Sequence, residues 1–121
     1  MLNNLLVLGI ILLVVDSGYL YLVKDTFAKL IKSVQNSEMQ INIVYAGLCY
    51  MFLVVALYYF IIRRNASILD AFILGACIYG VFETTNLAII KKWDPVIATI
   101  DVIWGGTLFV IVTSIWRLVS R

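Results

Sequence analysis

Four long apolar runs joined by short polar turns leave this chain little choice of fold. They read as about Leu2–Val23, Ile41–Ile62, Ser67–Ile90 and Val96–Val119, each close to the ~20 residues that cross a hydrocarbon core. Inside a bilayer each backbone N–H and C=O must find a partner within the protein, so runs of this length become helices. Composition agrees: of 121 residues 64% are hydrophobic and 13% charged, with a mean hydropathy of +1.05, well above soluble domains. The expected fold is all-α, an integral membrane four-helix bundle, with residues 1–121 as a single transmembrane domain.

The first run is expected to stay in the membrane rather than be cleaved. Its start, Met1-Leu2-Asn3-Asn4, has no basic residue, and Asp16 interrupts the apolar stretch. The connection from Lys24 to Gln40 is the longest, and about residues 25–36 of it are patterned. There Phe27, Leu30, Ile31 and Val34 recur at helical spacing, with Lys29 and Lys32 turned elsewhere. The pattern predicts an amphipathic helix that either lies on the membrane or extends the first span, its lysines solvated or set against acidic lipid heads. The turns Arg63-Arg64-Asn65-Ala66 and Lys91-Lys92-Trp93-Asp94-Pro95 are tight, so the second, third and fourth spans are antiparallel neighbours. Ser67 with Asp70, and Asp94 with Pro95, read as helix starts. Tyr19, Tyr21, Tyr58, Tyr59 and Trp93 fall where aromatic residues meet the membrane interface.

Charge does not fix the orientation. Lys24, Lys29, Lys32, Lys91 and Lys92 lie on one side and Arg63, Arg64, Arg117 and Arg121 on the other, an almost even split for a rule that counts cytoplasmic Lys and Arg. The chain has no His, so the commonest general base and transition-metal ligand are missing. Cys49 and Cys77 lie mid-span. They read as small residues filling helix interfaces, with a disulfide or metal pair as the sharper alternative. No glycine-rich nucleotide loop is present, and neither a cofactor, a metal nor a nucleic-acid partner is expected.

Against this background three acids stand out. Asp16 lies eight residues before Lys24, Glu83 eight before Lys91, and Asp101 nine after Lys92. At 1.5 Å per residue, all three fall roughly 12–14 Å inside the same membrane face. An acid at that depth costs about 3 kcal/mol or more. Small residues share their faces: Gly9 with Asp16, Ala76 and Gly80 with Glu83, and Gly105 with Asp101. Such residues let helices approach closely. Folding these stripes inward brings the acids together and keeps them out of the oil.

Carboxyl groups crowded in a low dielectric cannot all carry charge. With no Lys or Arg at that depth, the site must hold protons, bind a cation, or recruit donors such as Thr84, Thr85, Asn86, tyrosines and backbone. Trp104, three residues past Asp101, could stack on a cation. A protonated acid bonded across helices is also a packing device, the plainer reading of each acid alone. No residue is marked as catalytic: Ser17 is the only intramembrane serine near an acid, and no His accompanies it.

Asp16, the segment Gly80-Val-Phe-Glu83-Thr84-Thr85-Asn86 with Ala88, then Trp93, then Asp101-Val-Ile-Trp104-Gly105 carry a resemblance. Together they resemble an uncharacterised family of small four-helix membrane proteins, domain-of-unknown-function family 2177. Its pattern has an acidic Thr-Asn segment, a Trp in the following turn and an Asp-x-x-Trp-Gly segment in the last helix. In the first half Asp16 alone fits. The resemblance implies an integral membrane fold and supplies no activity.

The expected function is a proton- or cation-linked transporter or channel. Its ion- or substrate-binding residues would be Asp16, Glu83, Thr84, Thr85, Asn86, Asp101 and Trp104, and its helix-packing residues Gly9, Ala76, Gly80 and Gly105. Expected partners are the lipid bilayer and protons, a small cation or a small amphiphile. The alternative is a non-catalytic subunit of a larger membrane assembly, such as an energy-converting complex or a virion membrane, with a homo-oligomer also open. A lipid-modifying enzyme ranks third.

Overall fold

The computed structural model describes residues 2–120, so Met1 and Arg121, both used in the reading above, lie outside the described residues. Those residues form four helices: α1 (Leu2–Gln35), α2 (Ile43–Leu57), α3 (Ile68–Ile89) and α4 (Pro95–Val119). Each is long and apolar enough to cross a membrane. A π turn, Tyr58–Ile62, carries α2 on to its end. There the Arg63 N–H bonds the Tyr58 carbonyl at 2.8 Å.

The first helix is longer than its apolar run. Its 34 residues span about 50 Å, against ~30 Å of hydrocarbon. Residues 25–35 therefore extend the first span as one continuous helix, and their apolar face is not laid on the membrane. Leu30, Ile31 and Val34 pack instead on Trp93, Ala98, Ile90 and Ile97 at the α3–α4 turn. Lys92 Nζ ties that turn to the Ser33 carbonyl at 3.3 Å. Asn36 then ends α1 in the left-handed region, φ 57°, a conformation Asn tolerates better than most residues.

Local chemistry sets the remaining ends. Asn42 accepts from the N–H groups of Val44 (3.0 Å) and Tyr45 (3.2 Å) to start α2. Ser67 accepts from Asp70 N–H at 3.0 Å to start α3. Asp94 accepts from Val96 N–H at 2.8 Å to start α4, with Pro95 in the first turn where its missing N–H costs nothing. Arg117 donates to the Ala66 carbonyl, tying the end of α4 to the α2–α3 turn.

The tightest packing is between α3 and α4, while α2 packs chiefly against α1. The α3–α4 contact is made by three glycines. A Cβ on Gly75 would collide with the Gly105 backbone, one on Gly105 with the Tyr79 ring, and one on Gly106 with the Phe72 ring. Of the four small residues expected to let helices approach, Gly105 alone sits at such a contact. A Cβ on Gly9 would meet Val54 at 3.7 Å and one on Gly80 would meet Val102 at 3.9 Å, both ordinary contacts. Ala76 and Gly80 line a groove on the outer face of α3 beside Cys77 and Val81. The inward stripe of α3 is Ala71, Gly75 and Glu83.

Two apolar clusters result. The larger joins Leu8 and Leu12 of α1, Leu53, Val54 and Leu57 of α2, Ala71 of α3, and Leu108, Phe109 and Val112 of α4. The smaller is the Leu30–Trp93–Ala98 cluster. Between them lies a polar layer. The outer surface is apolar, with Val14, Phe52, Val81 and Ile103 exposed, as suits helices surrounded by acyl chains. Cys49 and Cys77 are free and exposed on this surface rather than packed between helices.

Candidate functional site

The polar layer holds Asp16, Glu83 and Asp101. All three are buried, Glu83 completely and the two aspartates to 5% and 7% exposure. Asp16 follows Leu8 and Leu12 on the buried face of α1, each a turn from the last. Asp101 lies between buried Ala98 and Gly105 on α4, and Glu83 ends the inward stripe of α3.

Their donors are aromatic. Asp16 accepts from Trp104 Nε1–H at 2.9 Å and from the Tyr50 hydroxyl of α2. Asp101 accepts from the Tyr19 hydroxyl of α1 at 3.2 Å. Glu83 accepts from Trp93 Nε1–H at 2.7 Å. The rings of Tyr19 and Trp104 stack 4.6 Å apart and 5° from parallel, joining the Asp16 end of the network to the Asp101 end. Every helix contributes.

Glu83 and Asp101 are neighbours in this layer. Two carboxylate anions present only acceptors, so neither can satisfy the other while both are charged. Glu83 Oε2 is fully buried and has no hydrogen-bond partner. Among the described residues the paired ions are Lys32 and Glu38, 3.0 Å apart and exposed, so no Lys or Arg neutralises the three acids. Nor, among the described residues, are three of His, Cys, Asp or Glu placed to hold a metal ion. The layer is a carboxyl pair with Asp16 set apart across the Tyr19–Trp104 stack.

The structure assigns several residues differently from the sequence reading. Thr84 bonds its hydroxyl to the Gly80 carbonyl at 2.6 Å, and Thr85 to Val81 at 2.6 Å, each on its own helix and on the exposed side. Asn86 is half-buried and makes no side-chain hydrogen bond to the acids. The helical rotation that turns Glu83 inward carries its polar neighbours outward. Trp104 does adjoin the acids, but one ring face is covered by Tyr19 and its N–H is spent on Asp16, so it serves as a donor to the site. Trp93, expected at the membrane interface, is folded in and 7% exposed. Ser17 bonds the Leu13 carbonyl at 2.6 Å on the exposed side of α1.

Sequence reasoning named tyrosines as donors without saying which, and set Tyr19 at the membrane interface; the donors are Tyr50 and Tyr19. Spacing offered a signal for Tyr19: three residues after Asp16, it shares that face of α1. Tyr50 had none, because its placement depends on how α2 docks.

One side of the layer is open. Between α2 and α3 a cleft of about 220 Å³ is lined by Cys49, Leu53, Ile78, Tyr79, Phe82 and Asp101. Its walls are apolar apart from the carboxyl at the back.

Fold and contacts together define a multi-pass helical membrane protein with a buried carboxyl network between its spans. The chain belongs to the predicted membrane protein family DUF2177, whose profile matches residues 1–117. No curated protein and no solved structure matches it.

Proposed function

We propose that this protein moves protons, or exchanges them for a small cation, through the carboxyl layer. One observation carries the reading: Glu83 and Asp101 adjoin inside the bundle and, among the described residues, no basic side chain is paired with them. A pair built for packing alone would be as well served by amides, which do not exchange protons. Here the proton between the carboxyls is the mobile element. Tyr19, Tyr50, Trp93 and Trp104 hold the acceptors in place and lower the cost of charge when that proton leaves.

The test is reconstitution in liposomes with a pH-sensitive dye inside. The parent protein collapses an imposed pH gradient. Glu83→Gln and Asp101→Asn abolish that flux while circular dichroism and gel filtration show an intact helical protein. Equal flux in both variants, or none from the parent under any proton or small-cation gradient, overturns the reading.

A second reading, a non-catalytic subunit of a larger membrane assembly, is favoured by the small-residue groove of Ala76, Cys77 and Gly80 on the outer face of α3, which suits a partner helix. Purification separates the two. Constant recovery with another chain in fixed stoichiometry supports the subunit, and recovery alone supports the transporter.

A further inference from the structure

We propose that the cleft between α2 and α3 admits a single-chain alkylamine from the surrounding lipid and seats its ammonium head on Asp101 and Glu83. This names the cation for the exchange proposed above and rests on that reading of the carboxyl pair.

Three observations converge. First, the cleft opens sideways on the span rather than at either end, between a helix that packs mainly on α1 and the α3–α4 pair. A ligand reaching it comes from the acyl-chain region. Second, the walls Leu53, Ile78 and Phe82 are apolar, and the only charged residue on the lining is Asp101. An apolar tail with a cationic head complements both parts. A fatty acid would set its carboxylate against Asp101, and an alcohol would bring a single donor where an ammonium brings three. Third, an acceptor is waiting. Glu83 Oε2 is completely buried, and no side-chain or backbone donor reaches it. An ammonium between the two carboxyls would supply it. Tyr79 and Phe82 place aromatic rings on the approach, surfaces that attract a desolvated cation.

Charge balance then sets the stoichiometry. The pair holding one proton carries one negative charge. An arriving ammonium replaces that proton, the O–H bond breaks, and the proton leaves. The net event is one amine in for one proton out.

Cys49 and Cys77 provide the assay. Both are free and exposed, but Cys49 lines this cleft and Cys77 the groove on the outer face of α3. The purified full chain in nanodiscs is alkylated with N-ethylmaleimide in the presence of dodecylamine, dodecanol or dodecanoate. At ten times its dissociation constant, dodecylamine leaves about one site in eleven empty and slows Cys49 alkylation about tenfold. Cys77 keeps its rate. Dodecanol and dodecanoate protect little, and Asp101→Asn removes the protection. Ile78→Trp, which fills the cleft without touching an acid, also removes it, and keeps the proposal testable should Asp101→Asn not fold. Equal protection by all three chains, or none by the amine, overturns the inference. The two readings fail separately: proton flux in liposomes without amine protection sinks the amine alone, whereas amine protection without flux sinks the transport reading and leaves a binding site.

Discussion

At the scale of single residues, the site shows how a membrane interior makes an acid tolerable without a counter-charge. Indole and phenol groups suit the task, since each delivers a donor from a largely apolar body. Trp104 does two jobs, donating to Asp16 and stacking on Tyr19. Trp104→Phe keeps the stacking and deletes the N–H. It is expected to cost about 1–3 kcal/mol, the usual penalty for a buried acceptor losing its donor, read as a lower denaturation midpoint in detergent. The opposite sign is expected at Thr113. Its side chain is completely buried in the apolar half, and its hydroxyl finds no partner. Thr113→Val keeps the shape and removes the stranded group, so the midpoint should rise by about 1 kcal/mol.

At the scale of elements, the glycines divide into those that let helices touch and those that do not. A side chain on Gly75 meets the Gly105 backbone, which cannot step aside, whereas one on Gly47 of α2 meets nothing within 4 Å. Gly75→Ala should therefore destabilise by about 1–3 kcal/mol through overpacking. Gly47→Ala should stabilise by about 0.5–1 kcal/mol through helix propensity. Thermal unfolding of both variants in one detergent checks the contrast. The small residues of α3 show what was legible beforehand. The spans could be read because oil forces unbonded backbone into helices, and the acids because their presence there is costly. Which face of α3 turns inward could not be read. Ala71-x-x-x-Gly75 and Ala76-x-x-x-Gly80 are equivalent patterns on paper, and a one-residue shift rotates a helix by about 100°. That ambiguity misplaced Ala76, Gly80, Thr84 and Thr85 together. Trp93 was misread for a related reason: a Trp in a turn beside two lysines suits an interface belt equally well, and only the continued α1 helix covers it.

At the scale of the whole molecule, the bundle is uneven, and the proposed chemistry depends on that unevenness. The α3–α4 pair is locked backbone to backbone, while α2 is bordered by a cleft on its α3 side and a shallow groove on its α1 side near Gly9, Gly47 and Tyr50. Its tie to the polar layer is the Tyr50 hydroxyl on Asp16. Local stability follows local packing, so amides in α2 should exchange with solvent deuterium faster than those in α3 or α4. Tyr50→Phe removes the tie and leaves the ring to fill the same space. Exchange over Ile43–Ile62 should then rise several-fold, as loss of a bond worth about 1–2 kcal/mol to a buried carboxyl requires, while α3 and α4 hold their rates. Hydrogen exchange resolved by mass spectrometry reads each helix separately. A uniform rise across all four would mean that α2 opens only with the whole bundle. The cleft beside it would then have no independent means of widening, and admission of any chain from the lipid would require general unfolding.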